Sequence, residues 1–163
     1  MNTPITKFQG FTLVEMLIVI AIIGILSTIA YPSYIRYIER GYQSQAHMEL
    51  LAINNALKTN LVKNPSLKMK DEIEGSTGLV KTYKAAPEVA AKYDFSGEMK
   101  NKDSKNSRAY YLFATPKKGT DYRLSVWMDS LGNAYKCTDA ESAKAKSTSK
   151  NGDTGCEQVG YKK

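Results

Sequence analysis

The feature that most constrains this chain is an apolar run from Phe11 to Ala30, twenty residues that carry one charge, Glu15. Twenty helical residues at about 1.5 Å each match a hydrocarbon core of about 30 Å. A carboxylate within such a segment costs about 2.5–3.5 kcal/mol on insertion scales, so Glu15 needs a partner, and an amine would serve. The run therefore predicts a membrane-spanning helix whose single carboxylate pairs with a partner.

Two other interpretations of the run remain open. The first is a secretory signal peptide, which would use the small-x-small pattern at Thr28 to Ala30 as its cleavage site. Against it, Lys7 is the only basic residue before the run, and Glu15 interrupts the apolar region that a signal peptide needs. A single-span anchor without processing is the second. Topology does not follow from charge, because basic residues stand on both sides of the run.

The two cysteines, Cys137 and Cys156, bracket eighteen residues. No histidine or third cysteine stands at metal-ligand spacing around them, so a disulfide is expected. In the chain-entropy model a loop of this size contributes about 3 kcal/mol, which matters for one modest domain in a chain of 163 residues with 42% hydrophobic content. A disulfide requires an oxidising compartment, so we expect this domain outside the cytoplasm.

Beyond Ala30 the helical pattern continues as an amphipathic stripe. The apolar positions are Tyr31, Tyr34, Ile35, Ile38, Tyr42, Ala46, Leu50, Ile53, Leu57 and Leu61. We expect the other faces to be polar, and they carry Arg36, Glu39, Arg40, Gln43, His47 and Asn54. The helix should end before Asn64, because the residue before Pro65 avoids helical geometry. One helix of about fifty residues is predicted, with a bend at Pro32 and, at Gly24, either a bend or close helix packing.

The rest of the chain predicts an α+β domain. Residues 64–106 mix eight lysines with seven acids and read as a surface connection, with a helical turn starting at Pro87. Alternating patterns over 109–115 and 122–128, joined by a turn at 116–120, predict a hairpin, and 134–137 predicts a third strand. Residues 138–155 are polar and form an exposed loop, with room for about two helical turns from Asp139 to Lys146.

The junction Gly10-Phe11-Thr12-Leu13-Val14-Glu15, followed by the apolar run, resembles the processing site of type IV prepilins. The resemblance implies a leader, residues 1–10, that a prepilin peptidase removes by cutting between Gly10 and Phe11. It also implies N-methylation of Phe11 and pairing of Glu15 with the Phe11 amine of a neighbouring subunit in a filament. Gly24 and Pro32 match positions where such helices bend or melt during assembly.

Later motifs resemble the PilX group of neisserial minor pilins. They are Glu39 to Gln45, Tyr122 to Met128 and Tyr135 to Cys137. The resemblance implies the type IV pilin fold, a long helix packed on a small antiparallel sheet with a disulfide-closed loop. It implies these segments: leader 1–10, membrane or filament-core half-helix 11–30, amphipathic half-helix 31–63, αβ-loop 64–106, sheet 107–137, and D-region with tail 138–163. Interaction residues are expected in the loop, at Ser142, Lys144, Lys146 and Lys150.

The resemblance further implies a minor subunit of type IV pili that promotes aggregation and adhesion through its D-region. A competence pilin for DNA uptake and a pseudopilin of a type II secretion system are the alternatives. Expected partners are other pilin subunits, the prepilin peptidase, the assembly machinery of the inner membrane and pili of neighbouring cells. The precursor would be a single-pass inner-membrane protein with a periplasmic domain, and the product an extracellular pilus.

No catalytic or cofactor site is predicted. His47 is the only histidine and has no ligand or catalytic partner at a useful spacing. Phosphate-binding loops and nucleophile elbows do not occur. The net charge is +7, but the loop between the cysteines is neutral and no basic stripe with interleaved aromatics stands out, so nucleic acid is not expected as a partner. The sequence indicates a structural subunit rather than an enzyme, without metal or cofactor.

Overall fold

The computed structural model describes residues 10–104, 106–146 and 155–160. The chain divides into two compact units, Met1–Ile38 and Glu39–Lys163, to which we refer as unit 1 and unit 2. Helix α1, Leu13–Lys63, contributes residues to both. Its 51 residues confirm the predicted long helix, and it ends directly before Asn64, as the following proline requires.

Unit 1 contains the apolar part of α1. Its hydroxyl side chains bond to their own helix, because Ser27 Oγ donates to the Ile23 carbonyl and Thr28 Oγ1 donates to the Ile25 carbonyl, both at 2.7 Å. Such back-bonding lets polar residues lie in an apolar helix without unsatisfied groups. Pro32 lies inside the helix, and the bend expected there and at Gly24 stays a prediction.

Unit 2 is built on an antiparallel sheet. The described ranges contain five strands, β1 Tyr93–Met99, β2 Tyr110–Pro116, β3 Ser125–Asp129, β4 Ala134–Cys137 and β5 Cys156–Gln158, paired in chain order. Four short helices accompany them: α2 Met69–Glu74, α3 Leu79–Thr82, α4 Pro87–Ala90 and α5 Ala140–Lys144. Because every neighbouring pair is antiparallel and consecutive, short connections suffice throughout.

The main core lies between α1 and one face of the sheet. Ala46, Leu50, Ile53 and Leu57 of α1 are fully buried and recur at steps of three and four residues. They share one cluster with sheet residues that include Leu112, Ala114, Val126 and Met128. Full burial of a leucine or isoleucine contributes about 1.5–3 kcal/mol, so this seam stabilises unit 2 strongly. The predicted α+β architecture, with a long helix as its spine, is confirmed.

The sheet is wider than the pattern predicted. Strand β1 lies in the segment 64–106 that was expected to be a surface connection. Its ends, Tyr93 and Met99, are buried, but the five residues between them are only partly covered or exposed, so no alternation marks it. Gly97 is required there for close packing, since a Cβ would come within 2.8 Å of Ile73 Cγ2. Gly97 is therefore a packing position of β1.

Two polar residues of α1 are buried, which the pattern did not predict. Glu39 and Gln43 were expected on water-facing sides, but they are 8% and 6% exposed. The Glu39 carboxylate accepts hydrogen bonds from the backbone N–H groups of Arg123 and, at 2.7 Å, Leu124. Gln43 Nε2 donates to the carbonyls of Ser125 and Cys137 at 2.9 and 3.0 Å. Gln43 thus binds the backbone of β3 and β4, and Glu39 binds the backbone of the segment that leads into β3.

Asn54 was also expected to face water, and it is 1% exposed. Its Oδ1 accepts a hydrogen bond of 2.7 Å from the hydroxyl of Tyr110, whose pKa burial raises to about 12. Residues 39, 43 and 54 follow the same helical period as the buried aliphatic residues, so they lie on the buried face. Polar groups are tolerated there because each has a hydrogen-bond partner, and they fix the register of α1 on the sheet.

Candidate assembly and interaction sites

The predicted processing junction lies at the start of α1. Gly10 and Phe11 are exposed, Phe11 by 75%. The next residue, Thr12, caps the helix: the Glu15 N–H donates to Thr12 Oγ1 at 3.2 Å, and the Thr12 N–H donates to Glu15 Oε2 at 3.4 Å. This reciprocal pair is a capping box, which satisfies two backbone donors at a helix start.

The capping box gives Glu15 a local partner that the sequence analysis did not anticipate. The first-turn position also favours a negative charge, because helix N-termini carry partial positive charge. A carboxylate offers about four acceptor sites on two oxygens, so capacity for an amine remains. Glu15 is therefore held at the helix start, where a second donor can reach it.

The apolar side chains of unit 1 form a large exposed surface. Those from Phe11 to Ile29 are at least 45% exposed, and α1 is long and apolar enough to cross a membrane by length and composition. In a functioning protein, exposed apolar surfaces of this size are covered by lipid or by other proteins. This surface fits a membrane-anchored precursor whose helix is later packed among others.

A smaller apolar face continues on α1 within unit 2. Met48, Leu51 and Val62 are 63%, 37% and 79% exposed. Steps of three and eleven residues keep them on one side of the helix, away from the buried stripe. Within unit 2, α1 therefore carries an exposed apolar face opposite its buried one.

The predicted disulfide joins Cys137 at the end of β4 to Cys156 at the start of β5. The two residues are direct register partners, and the Thr138 N–H donates to the Gly155 carbonyl next to them. Gly155 has no room for a side chain, because a Cβ would collide with the hydroxyls of Ser142 and Thr138. The two ends of the loop are thus bound by a covalent bond, strand pairing and close packing.

Helix α5 covers the other face of the sheet near this disulfide. Asp139 caps it by accepting a hydrogen bond of 2.6 Å from the Ser142 N–H, and this bond holds the pKa of the Asp139 carboxyl below its usual range. Ala143 is fully buried in a second cluster with Phe113 and Trp127. Trp127 also stacks on Tyr135 with ring centroids 4.2 Å apart. The first part of the loop, which includes α5, therefore packs against the sheet.

The residues predicted to contact partners differ in their availability. Lys144 is exposed. Lys146 forms an ion pair with Glu98, and its Nζ lies 5.1 Å from the ring centre of Tyr111. Ser142 is half-buried in the first turn of α5, and Lys150 lies outside the described residues. Lys146 thus has a structural role within the subunit, which the sequence pattern did not indicate.

His47 is half-buried on α1, and burial, followed by the nearby charge of Lys136, lowers its pKa. Among the described residues there is no group of three metal-ligating side chains. A lowered pKa favours the neutral imidazole, and its half-buried position places His47 in the packing of α1.

Two family models match the sequence. The model of the prokaryotic N-terminal methylation motif matches residues 5–31, and that of the minor type IV pilin PilX matches residues 36–163. Among curated proteins, the chain is 49% identical over 51 residues to the type IV major pilin protein PilA of Myxococcus xanthus, covering 31% of this chain and 23% of PilA. It is 43% identical over 77 residues to fimbrial protein Q of Moraxella bovis, covering 45% of this chain and 49% of that protein. These matches therefore span half or less of the relatives.

A solved structure extends the similarity to the fold. The crystal structure of the Neisseria meningitidis minor type IV pilin PilX is 43% identical, with a TM-score of 0.64, and the match covers 74% of this chain and 98% of that chain. The PilX family model covers well over half of the sequence. With its long helix, five-stranded sheet and C-terminal disulfide, the chain belongs to the PilX family of minor type IV pilins, which are structural subunits and not enzymes.

Proposed function

We propose that this minor pilin promotes aggregation of cells, and thereby adhesion, through the D-region, residues 138–155. The observation that supports the proposal is that both ends of the loop are fixed to the sheet. Its ends are joined by the Cys137–Cys156 disulfide, and α5 is seated on the sheet through Ala143. The eight residues 147–154 connect these two fixed points. A rigid support of this kind is typical of loops that bind partners.

The composition of the D-region supports a weak and reversible contact. Lys144, Lys146 and Lys150 balance Asp139, Glu141 and Asp153, and no aliphatic side chain longer than alanine occurs between the cysteines. Neutrality with mixed signs avoids long-range repulsion between two copies of the loop and allows charge pairing. Pili of neighbouring cells that carry the same subunit are therefore the partner we propose.

The same proposal includes processing and assembly. A prepilin peptidase cuts between Gly10 and Phe11 and methylates the new terminus, and the Phe11 amine pairs with Glu15 of a neighbouring subunit. Both junction residues are exposed, and the capping box leaves Glu15 acceptor capacity. The assembly machinery of the inner membrane then transfers the subunit from the membrane into the pilus. The disulfide supports a periplasmic location for unit 2 before assembly, because disulfides form in oxidising compartments.

The D-region is tested by replacing residues 147–153 with glycine and serine at equal length. This change keeps both cysteines, and it keeps α5, whose Ala143 is part of the packing. A matched control replaces residues 101–104, an exposed segment between β1 and β2, in the same way. Incorporation into sheared filaments, piliation and cell aggregation are measured for both variants.

We expect normal piliation and incorporation in both variants, with aggregation lost only in the D-region variant. Normal aggregation in that variant would exclude the D-region as the contact. Loss of DNA uptake or of protein secretion, with aggregation intact, would instead favour a competence pilin or a pseudopilin.

A further inference from the structure

The segment between β2 and β3 lies where the chain enters unit 2. Glu39 is the first residue of this unit, and its carboxylate accepts hydrogen bonds from the backbone of Arg123 and Leu124. Tyr122 packs on Tyr42 of α1, with ring centroids 5.7 Å apart. The segment 117–124 is therefore fixed beside the entry point of the chain.

The start of β1 lies at the same end. The Lys117 N–H donates to the Lys92 carbonyl at 2.8 Å, and Lys92 Nζ lies 5.5 Å from the ring centre of Tyr122. We call this end the tethered-end surface. Its basic side chains are Arg40, Lys92, Lys117, Lys118 and Arg123. Its acidic side chains are Glu39, Glu88, Asp94 and Asp121.

The basic side chains of this surface outnumber its exposed acidic ones, five against Glu88, Asp94 and Asp121. Glu39 is buried and bound to backbone N–H groups. Lys117 and Asp94 form a long ion pair of 3.8 Å. Arg40, Lys118 and Arg123 are exposed and take part in no ion pair within the residues that the structure describes, and the same holds for Glu88 and Asp121. With Lys92 counted as well, the excess over the exposed acidic side chains is two positive charges. A net positive charge thus faces outward.

This surface is confined to the neighbourhood of a membrane if the precursor is anchored as proposed above. Glu39 follows the last residue of the apolar run, Ala30, by nine residues, which reach at most about 30 Å even when extended. The headgroup layer adds about 5–8 Å beyond the hydrocarbon. Tethering gives a high effective concentration, so weak individual contacts suffice for binding.

We propose that the tethered-end surface binds anionic phospholipid headgroups of the membrane that holds the apolar helix. The contact holds unit 2 against the bilayer until the subunit enters a filament. Each lysine or arginine near an anionic surface favours the bound state by up to about fivefold. Binding by a few such residues is strong enough to orient a tethered domain and weak enough to be released during assembly.

Lysine acylation of the full chain in unilamellar vesicles tests this proposal. Vesicles of phosphatidylcholine alone are compared with vesicles that also contain phosphatidylglycerol, using a membrane-impermeant reagent and mass spectrometry. The reporters are Lys117 and Lys118, and the internal control is Lys81, which is exposed on α3. Arg123→Glu is the test variant, since its backbone N–H can still bond to Glu39, and Lys58→Glu is the charge-matched control on the exposed side of α1.

In anionic vesicles the reporters should react up to about fivefold more slowly than in neutral ones, while Lys81 keeps its rate. The difference should disappear at about 1 M salt, where the Debye length is about 3 Å, and in Arg123→Glu, but not in Lys58→Glu. Equal reporter rates in both vesicles would overturn the proposal. So would protection that follows protein density rather than lipid charge, because the partner would then be an acidic surface of another subunit. Neither outcome bears on aggregation through the D-region, so the two proposals fail separately.

Discussion

Substitution of Glu39 by alanine should destabilise unit 2 by about 2–4 kcal/mol. The change removes the acceptor of two backbone N–H groups, and a hydrogen bond to a charged group contributes about 1.5–3 kcal/mol. Two such bonds sum to about 3–6 kcal/mol. The expected loss is smaller than most of this range because Arg123 is exposed and Leu124 half-buried, so water replaces part of the lost bonding. For a unit of 125 residues, from Glu39 to Lys163, this corresponds to a fall in Tm of roughly 10 °C.

Guanidinium unfolding of the full chain in detergent measures this effect. Trp127 is the only tryptophan and is 4% exposed, so its fluorescence reports on unit 2. Glu39→Gln keeps an acceptor oxygen without the charge and should cost about 1 kcal/mol. The neighbouring control, Arg40→Ala, concerns an exposed side chain and should stay within about 0.5 kcal/mol. If Glu39→Ala were no more destabilising than Arg40→Ala, the carboxylate would not stabilise the attachment of the segment before β3 to α1.

Three further outcomes are expected. Gly10→Leu should block cleavage of the leader, so that immunoblots show only precursor; mature protein of normal length would contradict the assigned junction. Glu15→Val should insert into the membrane but be depleted from sheared filaments, because it removes both the capping box and the proposed amine partner; normal incorporation would show that assembly does not need the carboxylate. Tyr110→Phe should destabilise unit 2 by about 1–3 kcal/mol, because it leaves Asn54 Oδ1 buried without its donor. The double variant Asn54→Leu, Tyr110→Phe should recover part of this loss. Additive effects of the two substitutions on the free energy of unfolding would argue against direct coupling of the two side chains.

The long helix, the hairpin and the disulfide were predictable because each has a local signal. The apolar period of α1 extends over many turns, and Pro65 marks its end. The cysteines had no competing partner in the sequence. Such signals depend on residues that are near one another in the chain, so they can be recognised without knowledge of tertiary contacts.

What the sequence did not predict depends on contacts between distant segments. Glu39, Gln43 and Asn54 are polar, and only the residues that bond to them, 56 to 94 positions later in the sheet or directly before β3, allow their burial. Strand β1 was missed because it is paired on one side by β2 and packed on α2 through Gly97, which erases its alternation. The ion pair of Lys146 with Glu98 likewise joins residues that are 48 positions apart. Hydrophobic period alone therefore understates the polar contacts that define this fold.

The capping box also gives the proposed assembly a defined order. Before cleavage residue 11 is joined to Gly10 by a peptide bond, so no Phe11 amine exists, and Glu15 has the Thr12 N–H and the helix N-terminus as partners. Cleavage after Gly10 creates an ammonium group, which remains cationic when methylated. The N-terminal segment then carries one positive and one negative charge instead of a lone negative one. Pairing the two between subunits offsets the cost of moving the carboxylate into the filament core, and it does so only at one register. In the proposed assembly, processing would therefore supply the charge that makes ordered packing of these helices favourable.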